Sequence, residues 1–106
     1  MARENWSNTV RRSLKMIELM AGRYFDGLSN KELAEALGEL PSTISRDVLV
    51  LESEGWLRKL ENGRWGLTVK PLQIMQAYAN HAELTGKRLS ETTHNIASGA
   101  RRYMGD

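Results

Sequence analysis

Between Ser29 and Gly55 the chain reads SNKELAEALGELPSTISRDVLVLESEG, two helical segments with almost no room to separate. Ser29 followed three residues later by Glu32 is a capping box, in which each side chain satisfies a free backbone N–H at a helix start. Leu33, Ala34 and Leu37 are that helix's buried stripe, and Gly38 suits a left-handed cap. At about eight residues the helix is too short to persist alone. It must lie against its neighbours. Pro41 then opens a second helix at the position where its missing N–H costs nothing. Ile44, Val48 and Leu51 give that helix an inward face, and Gly55 stops it. Leu49 and Val50 fall off the stripe, which predicts that its C-terminal half is sandwiched between other elements.

The segments on either side extend the pattern. In TVRRSLKMIELMAGRYF, Val10, Leu14, Ile17 and Met20 or Ala21 recur at steps of three and four, an amphipathic helix that ends before Gly22 and Gly27. WLRKLENGRWGLTV reads as a β-hairpin. A two-residue Asn62-Gly63 loop would set Arg58 opposite Leu67. A three-residue Glu61-Asn62-Gly63 loop pairs Leu57 with Leu67 and Lys59 with Trp65. Only the latter gathers Leu57, Trp65, Leu67 and Val69 on one face, so it is preferred. After Pro71, Leu72, Met75 and Ala79, with Ile74 and Tyr78 beside them, predict a further helix, broken at Thr85-Gly86. A last one carries Leu89, Ile96, Ala100 and Tyr103, with Ser90 as its N-cap and Gly99 as a weak point.

Helix, short helix, helix, hairpin, helix is the order of a winged helix-turn-helix. The fold class expected is mainly α with a small β-hairpin wing, followed by a C-terminal helical extension. The expected division is 8–70 for the helix-turn-helix domain and 71–106 for the extension. With 106 residues the chain has room for one modest core. It has no cysteine for a disulfide or a thiolate site, which suits a reducing cytoplasm. No stretch approaches the apolar run of about 20 residues that a membrane span needs, and the N-terminus lacks a signal-peptide pattern.

The second segment's start poses the functional question. Ser42, Thr43 and Ser45 are short hydroxyl residues beside Arg46. They let a helix end approach another surface closely, and Arg46 has the two-pronged geometry that reads guanine in a major groove. Simple helix capping is the alternative. Residues 1–23 carry five Lys or Arg against two Glu, whereas 24–40 carry one Lys against four acids, which separates a basic from an acidic region. Arg11, Arg12 and Lys15 of the first helix are either backbone contacts or a solvated face. Trp56 and Trp65 read as packing residues, and Trp6 as a staple or a cover for a partner subunit.

SLKMIELM, ELAEALGELPSTISRDVLVLESEGWL and RWGLTVKPLQIM, read in order, resemble the DNA-binding domain of the IclR family over roughly residues 11–80. The resemblance implies a dimeric winged helix that reads operator DNA. It implies a recognition helix at about 42–54 bearing Ser42, Thr43, Ser45 and Arg46, with Arg58, Lys59 and Arg64 on or near a wing at 56–69. Arg58 and Arg64 have the alternative of guarding a hairpin edge. Three departures stand out: the wing tip is only ENG, Asp47 occupies a position usually apolar in the family, and the chain stops where the family's effector-binding domain would begin.

The apolar residues after position 70 exceed what a small core absorbs. Leu72, Met75, Tyr78, Leu89, Ile96 and Tyr103 are therefore candidates for a homodimer interface, the alternatives being a frayed tail or a tail that binds a partner protein. His81 and His94 lack metal-binding spacing, and no nucleophile elbow or phosphate loop is present. The sequence thus predicts a non-enzymatic, cofactor-free regulator that binds double-stranded DNA in the cytoplasm, associated with the nucleoid and acting as a dimeric repressor. A winged helix used as a protein-interaction module is the rival reading.

Overall fold

The computed structural model describes residues 6–85 and 89–104, with side chains described outside 89–94. The elements run α1 (Asn8–Met20), α2 (Asn30–Leu37), α3 (Pro41–Ser53), β1 (Leu57–Lys59), β2 (Trp65–Leu67), α4 (Lys70–Leu84) and α5 (Leu89–Ala100), closing with a 3₁₀ turn at Arg101–Tyr103. This is a winged helix-turn-helix, mostly helical with one antiparallel hairpin. The expectations placed on Gly86 and the side chains of Leu89, Ser90 and His94 lie outside the described residues.

The capping box forms as its spacing requires. Ser29 Oγ accepts from the Glu32 N–H at 3.1 Å, and the Ser29 N–H donates to Glu32 Oε1 at 2.9 Å. Leu33 is fully buried and Ala34 nearly so, which is how eight residues hold a helix. Each fully buried large side chain contributes roughly 1.5–3 kcal/mol. The core is one cluster: Met16 and Met20 from α1, Leu28, Leu33 and Ala34, Ile44 and Val48 from α3, and Leu57 and Trp65 from the hairpin. Leu37, Leu51 and Leu67 pack on its margin.

The hairpin adopts the register the apolar pattern favours: Leu57 faces Leu67, Arg58 faces Gly66 and Lys59 faces Trp65. Its loop is Glu61-Asn62-Gly63, with Gly63 at φ 83°, a left-handed position that suits glycine. The Leu60 N–H donates to the Arg64 carbonyl at 2.7 Å, and the Gly63 N–H to the Leu60 carbonyl at 2.9 Å. Leu28 adds a third, one-residue rung to the hairpin by exchanging both backbone hydrogen bonds with Trp65, each 2.9 Å.

Three packing expectations need correction. In α1 the buried residues are Met16 and Met20, while Val10 and Leu14 are each 57% exposed. The apolar period allows more than one stripe, and α1 is rotated so that Arg12 reaches α3. Leu49 and Val50 are exposed on α3 rather than sandwiched, because α3 meets the core through the face carrying Ile44, Asp47, Val48 and Leu51. Val69 does not join the hairpin face; it is the exposed N-cap residue just before α4.

Candidate nucleic-acid interface

The start of α3 is uncapped. Its N-cap is Leu40, which offers no side-chain hydrogen bond, and Pro41 takes the first helical position. The hydroxyls of Ser42 and Thr43 therefore do not cap this helix, and the helix end keeps its positive dipole open to an anion. Ser42 and Arg46 are exposed and Thr43 is half-buried. Among the described residues Arg46 has no ion-pair or hydrogen-bond partner, so its guanidinium is available to an outside acceptor. Ser45 differs. It is half-buried, and its Oγ accepts a 2.9 Å hydrogen bond from Asn30 Nδ2.

The basic residues expected near the wing divide into three groups. Arg64 forms an ion pair with Glu32 at the start of α2, which fastens the wing to the helix-turn-helix. The same carboxylate receives the Ser29 N–H, and these two donors hold Glu32 below the ordinary carboxylate range. Arg58 donates from Nε to the Leu67 carbonyl at 3.3 Å and stands 5.9 Å from the Tyr24 ring. Lys59 lies 5.5 Å over the ring of Trp65. The exposed side chains of Arg58 and Lys59 keep their charge toward solvent; Arg64 has much of its charge neutralised.

On α1 the two arginines also part. Arg11 stands 5.8 Å from the Trp6 ring. Arg12 has turned inward: its Nε donates to Asp47 Oδ2 at 2.7 Å and its Nη2 to Asp47 Oδ1 at 3.4 Å. Nη2 also reaches Thr9 Oγ1 at 3.3 Å. Arg12 thus anchors α3 to α1. The departure at Asp47 has the same explanation, since a buried carboxylate is tolerated when a bidentate guanidinium satisfies it.

A helix-turn-helix model describing the IclR helix-turn-helix domain matches residues 9–61, half of the sequence. The chain belongs to the IclR helix-turn-helix domain family. The IclR-type domain accordingly has the helix-turn-helix and hairpin of a DNA-binding transcription regulator. Among solved structures it is similar to CymR (YrzC), the global cysteine regulator of B. subtilis, with a TM-score of 0.53 and 20% identity. That likeness covers 63% of this chain and 52% of CymR, and at such identity it concerns the fold. No curated protein sequence matches the IclR-type chain significantly.

Sequence reasoning missed two residues of this interface. Asn30 follows the capping serine and carries no motif of its own, yet it links the wing to α3 over 35 and 15 residues of chain. Gly27, placed at the end of α1, instead sits at φ 68° directly against the wing. No local pattern signals either contact.

Proposed function

We propose that this chain is a sequence-specific, double-stranded DNA-binding regulator that acts as a dimeric repressor from the cytoplasm, inserting α3 into the major groove. The observation that carries the reading is Arg46. Among the described residues it stands exposed and unpaired beside Ser42 and Thr43 on an uncapped helix start, while the other strongly placed cations, Arg12 and Arg64, are engaged by carboxylates. Arg58 and Lys59 on the wing supply phosphate contacts flanking the groove.

A second copy is supported by the apolar face that α4 leaves exposed. Leu72, Met75 and Tyr78 on α4 are 63%, 55% and 66% exposed, with Ile96 and Tyr103 following at 46% and 41%. Two recognition helices then read half-sites about one helical turn apart.

Selection of duplexes from a randomised library tests the reading. Enrichment of a sequence with two-fold symmetric half-sites supports it, and a reporter placed behind that sequence then tests repression. Failure to enrich any sequence contradicts it.

A further inference from the structure

The side chain of Trp65 donates its indole N–H to Asn30 Oδ1 at 2.7 Å, and Asn30 Nδ2 donates to Ser45 Oγ at 2.9 Å. This relay runs from the wing, through the first residue of α2, to the recognition helix. Its direction is chemically fixed. An indole N–H can only donate, so the amide oxygen of Asn30 must face Trp65. The amide nitrogen must then face Ser45, whose hydroxyl oxygen is thereby committed as an acceptor on its inner side. The proton of that hydroxyl is left to be donated elsewhere. Among the described residues, Ser45 makes no other side-chain hydrogen bond. Trp65 itself is held rigidly, 5% exposed and bridged on both backbone groups to Leu28.

Resting on the DNA-binding reading above, we propose that Asn30 is a positioning residue that biases Ser45 toward donating its hydroxyl proton to an acceptor on DNA. Ser45 thereby selects an acceptor: a phosphate oxygen, or a base-edge acceptor such as purine N7 or thymine O4. A serine free to rotate presents either a donor or an acceptor and discriminates poorly between them. A serine held by Asn30 discriminates better, because one lone pair is already occupied and the hydroxyl proton is still free to be donated. The same relay makes the wing and the recognition helix report on each other, since displacing Trp65 releases the amide and with it the orientation of Ser45.

The test is a double-mutant cycle in the full chain. Its two probes are the duplex selected by the wild type and a shuffled duplex of the same composition. Asn30→Ala and Ser45→Ala are each expected to weaken binding to the selected duplex about fivefold, as one lost hydrogen bond does. The double variant is expected to bind no worse than either single variant, because Asn30 acts through Ser45. A loss confined to the selected duplex assigns the acceptor to a base edge; an equal loss on both duplexes assigns it to a phosphate. Asn30→Asp covers the case in which alanine perturbs folding. It keeps the Trp65 bond but can only accept, so Ser45 must donate inward and presents only lone pairs to DNA. It is expected to bind worse than Asn30→Ala, with that excess much reduced in the Ser45→Ala background. Losses that simply add across the cycle, or Asn30 variants that bind like the wild type, overturn the proposal. A wild-type chain that enriches no duplex overturns the DNA-binding reading itself, a result distinct from the other two.

Discussion

Arg12 Nε and Asp47 Oδ2 lie 2.7 Å apart and join α1 to α3 across a gap of 35 residues in sequence. The side chains are 16% and 10% exposed, so neither charge can be left alone without cost. Arg12→Ala or Asp47→Ala is expected to cost about 3 kcal/mol in urea unfolding, the range for orphaning one member of a buried pair. Arg12→Met with Asp47→Leu should cost less than either single change, since an apolar pair of similar size leaves no uncompensated charge. Single changes within about 0.5 kcal/mol of the wild type, as at an ordinary surface site, would show that the pair does not hold α3.

Gly27 is expected to be the least replaceable residue of the loop between α1 and α2. At φ 68°, a Cβ there would stand 2.7 Å from Leu60 Cδ1 and closer still to the Trp65 carbonyl oxygen. Gly27→Ala combines left-handed strain with a clash against backbone that is already hydrogen-bonded to Leu28. The expected destabilisation is about 3 kcal/mol. Hydrogen exchange should localise the damage to the Leu28–Trp65 rung, and exchange unchanged at those amides would argue against this placement.

The clasp between Glu32 and Arg64 should respond to acid. Hydrogen bonds from the Ser29 N–H and Arg64 lower the pKa of Glu32 below its ordinary value of 4.5. A depressed carboxylate contributes stability that is fully present above that ordinary value and is lost as pH falls through the folded-state value. Glu32→Gln cannot ionise, so its stability should trail the wild type at neutral pH, with the gap closing on acidification below about pH 4.5. Thermal unfolding of both proteins from neutral to acid pH reads this directly; a gap that does not change with pH would rule the clasp out as an ionic contact.

A charge placed on the exposed face of α4 should separate the subunits. On the proposed dimer, Met75→Glu is expected to shift the sedimenting species toward monomer, with unfolding of the helix-turn-helix core little changed, because Met75 is 55% exposed within one chain. Half-site affinity would persist while full-site affinity falls. A wild-type chain that sediments as a monomer at every concentration would remove the basis for this interface.

Much of this fold was legible because its signals are local. The Ser29–Glu32 box, the left-handed cap at Gly38 and the Glu61-Asn62-Gly63 loop each depend on residues within four positions, and all three stand as read. The hairpin register was readable too, since only one pairing puts Leu57, Trp65 and Leu67 together. The rotation of α1 was not, because Val10–Leu14 and Met16–Met20 both satisfy a helical period. A contact 35 residues away, Arg12 to Asp47, accompanies the second choice. The same limit hid the inward turn of Ser45 and the pairing of Arg64 with Glu32. Exposed-looking polar residues on a helix start give no sign of a partner that arrives from another element.

The most direct measurement is fluorescence anisotropy of the wild type and Arg46→Ala on the selected duplex at about 50 and 200 mM salt. The wild type should bind, losing tenfold or more in affinity between the two salts as phosphate contacts are screened. Arg46→Ala should bind roughly 10- to 100-fold more weakly while unfolding at the same temperature, since Arg46 is exposed and makes no ion pair or hydrogen bond among the described residues. Binding by Arg46→Ala that equals the wild type at both salts would contradict the assignment of α3 as the reading element.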